Sequence, residues 1–272
     1  MVSGTSQMFI AGPPVVAGIG EDVTKEELGG ADLQLAAGGV DDAYASESDA
    51  MDAAKWFLSY LPDRAGEAPE RVAPSDKPDR TDESLRDIVP KDKRFGYEMR
   101  AILASVVDQG SLFGMGRPFG ASVITAFARL DGWPVAVLAS NPNVYGGGWT
   151  AEAAQKVTRF VDLAEAFRLP VVHFVDIPGF VIGTRAERAG TIRHGAKALS
   201  AIYQASVPWC TMLIRKAYGV AGAAMMDHTR FRYRSAWPSG DWGSLPLEGR
   251  VEAAFKSALA ASDHPPALQA QL

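Results

Sequence analysis

Residues 170–226, PVVHFVDIPGFVIGTRAERAGTIRHGAKALSAIYQASVPWCTMLIRKAYGVAGAAMM, leave the chain little freedom in how it folds. An apolar strand over residues 170–175 runs into Asp176-Ile177-Pro178-Gly179-Phe180. A glycine turn follows, and residues 185–204 have the spacing of a helix. A second apolar strand, 209–214, leads to Tyr218-Gly219-Val220-Ala221-Gly222, and the small residues of 219–226 read as a further helix. Strands with no polar face must be covered on both sides. Each one therefore delivers main-chain N–H groups and small residues to one rim of a buried sheet. Such a rim stabilises an oxyanion without a nucleophile, a metal or a general base.

The same alternation extends upstream. Residues 122–128 and 134–139 read as strands joined by a tight turn at Asp131-Gly132. Residues 96–107 read as a helix that Gly110 ends, and 151–167 as an amphipathic helix with Val157, Phe160, Val161, Ala164 and Phe167 on its apolar face. Residues 231–237 add a short strand. Repeated strand–turn–helix units predict an α/β fold with helices covering the sheet.

Residues 62–94 break this pattern, since five prolines and seventeen charged residues leave too little apolar surface to fold alone. They are predicted to cross a domain surface as a connector. Before them, 7–10 reads as a short strand, 26–30 as a helix stop followed by a loop, and 48–60 as one amphipathic helix capped by Ser48 or Asp49. That is too little structure for a domain.

The formal charge of -5 and the lack of any basic run argue against a nucleic-acid surface. The one cysteine, Cys210, lies in an apolar run and reads as a buried, inert thiol in a reducing compartment. No apolar stretch reaches the roughly 20 residues that span a bilayer, and the first residues lack the parts of a signal peptide, so a cytoplasmic location is expected. His173 and His228 have no ligand-spaced partner, so no metal site is expected. Gly146-Gly147-Gly148 lacks the following Lys-Ser/Thr of a Walker loop.

The ordered motifs FVDIPGF (174–180), Gly183, Glu187, IRHGAK (192–197), Val207-Pro208, RKAYGVAG (215–222) and Ala236-Trp237-Pro238 resemble the carboxyltransferase (beta) subunits of biotin-dependent acyl-CoA carboxylases, transcarboxylases and decarboxylases. Upstream the resemblance runs through Asn141-Pro142, Lys156 with Arg159-Phe160, Gly12-Pro13 and residues 27–31, nearly the whole chain. It implies a crotonase-like fold, with residues 1–70 as the tail of one homologous domain, 71–95 as a connector and 96–272 as the following, biotin-side domain, ending short. It also implies carboxyl transfer between carboxybiotin and a short-chain acyl-CoA such as the acetyl, propionyl or methylmalonyl ester. Running the reaction as a decarboxylase, or serving only in assembly, are the alternatives. No biotin-attachment sequence is present, so biotin is expected on a separate carrier protein, with a biotin carboxylase and further copies in a typically hexameric assembly as partners.

This transfer places negative charge on the biotin ureido oxygen and on a thioester enolate, and each needs two directed N–H donors. The resemblance assigns the ureido donors to Val220 and Ala221 after Gly219. It departs from the family here, because Val220 stands where a glycine is frequent and narrows the backbone angles. Asp176, Pro178, Gly179, Phe180, Gly183, Arg193 and Gly222 are expected around the biotin site. Ala223 stands where an acidic residue selects the acyl chain in relatives. Lys156 and Arg159, three apart on one helix, either meet the CoA phosphates or form a solvated pair. Structural readings stand beside these: Asp176 as a turn cap, Glu187 as a helix-dipole partner, and Gly219–Gly222 as close helix–sheet packing.

Overall fold

The computed structural model describes residues 1–64, 66–223, 232–244, 255–262, 264 and 266. Among them the core is a seven-stranded mixed sheet. Strands β1 (Phe113–Met115), β2 (Val123–Leu130) and β3 (Trp133–Ser140) are antiparallel neighbours. Strands β4 (Val171–Ile177) and β5 (Trp209–Tyr218) continue it in parallel. Strands β6 (Arg232–Ala236) and β7 (Asp241–Gly243) both pair with β5, one after the other along the same sheet.

The β2–β3 hairpin turns where the sequence predicted. Asp131 and Gly132 both take positive φ, and the Asp108 carboxylate accepts their N–H groups at 2.8 and 2.7 Å. The second apolar strand is longer than expected, reaching Tyr218 instead of ending at 214.

Helices cover both faces. On one, α6 (Ala151–Ala166) and α8 (Thr191–Gln204) pack on β2–β5. Thr150 caps α6 by accepting the Ala153 N–H, and Val157, Phe160, Val161 and Ala164 are buried as their spacing predicted. On the other face, α5 (Met99–Val106) buries Met99, Ile102 and Leu103 against Ile124, Ala126, Val137 and Phe174. The charged connector crosses that side, with Leu85, Ile88 and Val89 dipping into the apolar cluster.

The first sixty residues carry more structure than expected. They form α1 (Pro13–Ala17), α2 (Lys25–Gly29), α3 (Ala31–Ala37) and α4 (Glu47–Leu58). Residues 7–10 are not a strand; Met8 makes a single N–H bond to the Gly29 carbonyl. The expected loop after residue 29 is absent, because extended Gly30 ends α2 and starts α3. Ser46, not Ser48 or Asp49, caps α4. Its aromatic end joins the main core: Phe57 stacks on Phe127 at 5.4 Å, Trp56 meets Phe113 edge-on at 5.1 Å, and buried Tyr60, just past the helix, donates its hydroxyl to the Ser111 carbonyl.

The helix predicted over 185–204 is two: α7 (Thr184–Arg188) and α8, separated by Gly190 in the left-handed conformation. Such a turn breaks a helix while preserving the apolar spacing on either side. The helix predicted over 219–226 is described as α9 (Gly219–Ala223). Residues 224–226, His228, Phe231 and the stretch from Glu248 to 254 lie outside the described residues. A short α10 (Lys256–Ala260) follows them.

Candidate active-site rim

Three strand ends meet at one rim. After β3, Tyr145, Gly146 and Gly147 all take positive φ, turning the chain toward α6. Gly147 presses on the end of β4 so closely that a Cβ there would lie 2.2 Å from the Asp176 carbonyl oxygen. Trp149 donates its N–H to the Gly179 carbonyl and accepts from the Val181 N–H, a one-pair bridge that fixes the DIPGF turn. Gly179, at φ 125°, faces β5, with the Tyr218 carbonyl 3.9 Å from where its Cβ would be. The three glycines at 146–148 are thus part of the rim's backbone, not a phosphate loop.

Beyond Tyr218 the chain reverses through Gly219 at φ 63° into α9. A first helical turn has no intrahelical acceptor for its N–H groups, and of the two residues expected as donors Val220 borders the rim hollow while Ala221 lies beneath it. Val220 turns its side chain outward, 65% exposed, while Ala221 is fully buried. Gly222 is packed: a Cβ would lie 2.7 Å from the Ala217 carbonyl carbon. The glycines therefore divide, Gly219 serving the turn and Gly222 the close packing. Gly219, Val220, Gly222 and Ala223 line a hollow of about 640 Å³ with Tyr203 and Trp242.

Asp176 lies below this rim and is wholly buried with Arg215, their charged groups 3.0 Å apart. Its carboxylate also accepts the Lys216 N–H, and its own N–H donates to Ser140 Oγ. The Arg215 guanidinium lies over the Tyr97 ring at 4.9 Å and donates to the Phe95 carbonyl. Burial, and then the Asp176 charge, push the Tyr97 hydroxyl well above the usual phenol range. Arg215 was the residue with no role assigned from sequence. Its signal was available, because an arginine inside the run TMLIRKAY must find a buried counter-charge.

The other expected residues are spread out. Pro178 is exposed, and the Phe180 ring packs inward against Gly195 of α8 and Trp149. Gly183, at φ 114°, precedes α7, with Glu187 in that helix's first turn, and Arg193 is exposed on α8. Lys156 and Arg159 line a different hollow, of about 220 Å³, with Asp41, Gly116 and Thr125. They are not a solvated pair. Lys156 is buried with Nζ donating to the Val123 carbonyl, and burial, then Arg100, lowers its pKa to about 8. Arg159 is held by both oxygens of Asp41. His173 is buried beside Trp209 with Nδ1 unpartnered, and burial lowers its pKa to about 3. Cys210 is half-buried, and burial raises its thiol pKa. No described helix is long and apolar enough to cross a membrane.

The family model for the carboxyl transferase domain matches residues 1–271. The carboxyltransferase subunit of propionyl-CoA carboxylase from Haloferax mediterranei is 40% identical over 275 residues, covering 100% of this chain and 53% of that protein. The alpha subunit of methylmalonyl-CoA decarboxylase from Veillonella parvula is 38% identical, covering 94% of this chain and 51% of that one. A crystal structure of a transcarboxylase 12S hexamer with methylmalonyl-coenzyme A and methylmalonic acid bound superposes with a TM-score of 0.90 at 36% identity, covering 99% of this chain and 52% of that one. The fold is thus the crotonase-like α/β fold expected from the resemblance. The chain spans about half the length of these relatives.

Proposed function

The chain belongs to the carboxyl transferase domain family, and from that premise we propose that it moves a carboxyl group between carboxybiotin and a short-chain acyl-CoA, propionyl-CoA or methylmalonyl-CoA in kind. One observation carries this reading. The left-handed Gly219 turn opens α9 into a rim hollow with first-turn N–H groups free of helical acceptors.

Biotin, bound to its carrier, would supply the carboxyl group and a ureido oxygen that becomes negative as the group leaves. Val220 and Ala221 N–H groups would hold that oxygen, and Gly179 with the inward-packed Phe180 would form the adjacent wall. Gly222 keeps α9 against β5, so the donors are fixed before the charge develops, which is what makes such donors effective. No side chain of the rim needs to act as a base in this arrangement. Pro178, Gly183 and Arg193 lie outside the residues that line the hollow and would meet biotin only at its periphery, and Ala223, which does line it, would face the acyl side. We assign Asp176 to positioning and place Lys156 and Arg159 outside the biotin pocket.

Residues 1–70 are read as the tail of a preceding homologous domain, 71–95 as the connector, and 96–272 as the biotin-side domain. Ile10, Val15 and Ile19 support this, being exposed on a segment whose first helix buries nothing. The acyl-CoA side of the site, the biotin carrier with its carboxylase and further carboxyltransferase subunits would be partners, in the cytoplasm. The 38% identity to a decarboxylase subunit fits the same chemistry run in the other direction.

The experiment is to mix purified chain with biotinylated carrier and labelled methylmalonyl-CoA, with and without a chain supplying the acyl-CoA half. Label reaching biotin under either condition supports the reading. No transfer under both overturns it in favour of a subunit that serves only in assembly.

A further inference from the structure

The β4–β5 ladder is regular from Val171–Trp209 to Val175–Leu213 and then loses register, its next pair being Ile177–Ala217. Asp176 alone thus lies opposite Ile214, Arg215 and Lys216. A break of this kind strands main-chain donors, and here the Asp176 side chain meets one of them together with the Arg215 side chain. Asp176 Oδ1 accepts the Lys216 N–H at 3.1 Å, and Oδ2 accepts the Arg215 Nε–H at 3.1 Å. The far edge of β5 changes partner at the same place: Trp209–Leu213 pair with β6, and Lys216–Tyr218 with β7. No unbroken ladder on either side carries β5 through to its end.

From this we propose that Asp176 and Arg215 are a positioning pair that holds the Gly179 and Gly219 turns in register across the break. Its functional meaning rests on the reading of this rim as the ureido site. Both residues are almost fully buried, so their bonds are not screened by water. Asp176 donates its N–H to Ser140 Oγ at the end of β3, and its carbonyl oxygen lies so close to Gly147 that no Cβ fits there. Arg215 is tied to the segment entering α5 through the Phe95 carbonyl and the Tyr97 ring. Gly179 and Gly219 lie just past the break, one against the Tyr218 carbonyl and the other directly after it. A slip of β5 would move the Val220 and Ala221 donors relative to the wall they must face. Neither side chain needs to touch a ligand.

The test compares the unsubstituted chain with Asp176→Asn, Arg215→Met and the milder Arg215→Lys, reading amide hydrogen exchange by mass spectrometry and the affinity for biocytin. Asp176→Asn and Arg215→Met should each speed exchange about tenfold or more in both segments 177–183 and 217–222, with the β2–β3 hairpin unchanged. Biocytin affinity should fall about tenfold or more with them, and Arg215→Lys should restore part of both. Faster exchange confined to the substituted turn, or spread equally to β2–β3, would overturn the proposal. If Arg215→Met does not fold, Arg215→Lys and Asp176→Asn decide by the same two-turn criterion. Coupled exchange in a wild type that does not bind biocytin would leave the pair standing and remove the ureido reading instead.

Discussion

Gly147 and Asp176 meet at the level of the backbone: a side chain at 147 would begin 2.2 Å from the carbonyl oxygen of 176, and Gly147 sits at φ 86°. Two penalties therefore fall on one position, a left-handed backbone and a clash with main chain that has no flexible end to yield. Gly147→Ala should lose about 2–4 kcal/mol of stability in urea unfolding. Gly146, also left-handed but with open space around its Cβ position, isolates the first penalty. Gly146→Ala should lose only about 1 kcal/mol.

Tyr60 links α4 to the sheet through its hydroxyl, which donates to the Ser111 carbonyl and accepts from the Trp56 ring N–H. Tyr60→Phe keeps the ring contacts with Phe113 and Phe127 and strands both polar partners. It should cost about 1–3 kcal/mol, read as a lower denaturation midpoint at unchanged denaturant slope.

Val220→Pro removes one N–H from the first turn of α9, where no intrahelical bond depends on it, and the lost side chain is largely exposed. Carboxyl transfer should fall by about 10²–10³ with little change in melting temperature. Val220→Ala retains the N–H and should stay close to wild type. Equal loss in both variants would mean that the side chain, not the donor, matters.

His173 is neutral and buried, with its pKa lowered from 6.5 to about 3. Below pH 6.5 the unfolded chain takes up a proton that the folded chain refuses until about pH 3. The stability present above pH 6.5 is therefore lost as the pH falls, by up to about 1.4 kcal/mol per pH unit. His173→Leu should flatten that slope in unfolding measurements between pH 6 and pH 4. An unchanged slope would place the acid sensitivity in other groups.

The parts legible from sequence are those encoded within a few residues. Short apolar runs on either side of Asp131-Gly132 defined the hairpin, and helical spacing defined the buried face of α6. The Thr24–Glu27 capping box that starts α2 is equally local, a threonine three residues before a glutamate, just ahead of the helix stop read over residues 26–30. Gly190 was not legible, because a left-handed residue can break a helix without disturbing the apolar spacing around it. The burial of Lys156, and the choice of Asp176 as the counter-charge that the run around Arg215 demands, depend on contacts far apart in sequence, which no local pattern carries.

The aromatic face of α4 has a consequence for how the protein is made. Trp56, Phe57 and Tyr60 leave the ribosome well before Phe113 and Phe127, the rings they pack against, and the polar connector emerges between the two sets. Until β1 and β2 have been synthesised, these side chains have no native surface to bury, and synthesis at about 5–20 residues per second makes that a wait of seconds. Between the synthesis of Tyr60 and that of Phe127 the nascent chain therefore carries an aromatic face without its native partner, a surface that a chaperone could shield.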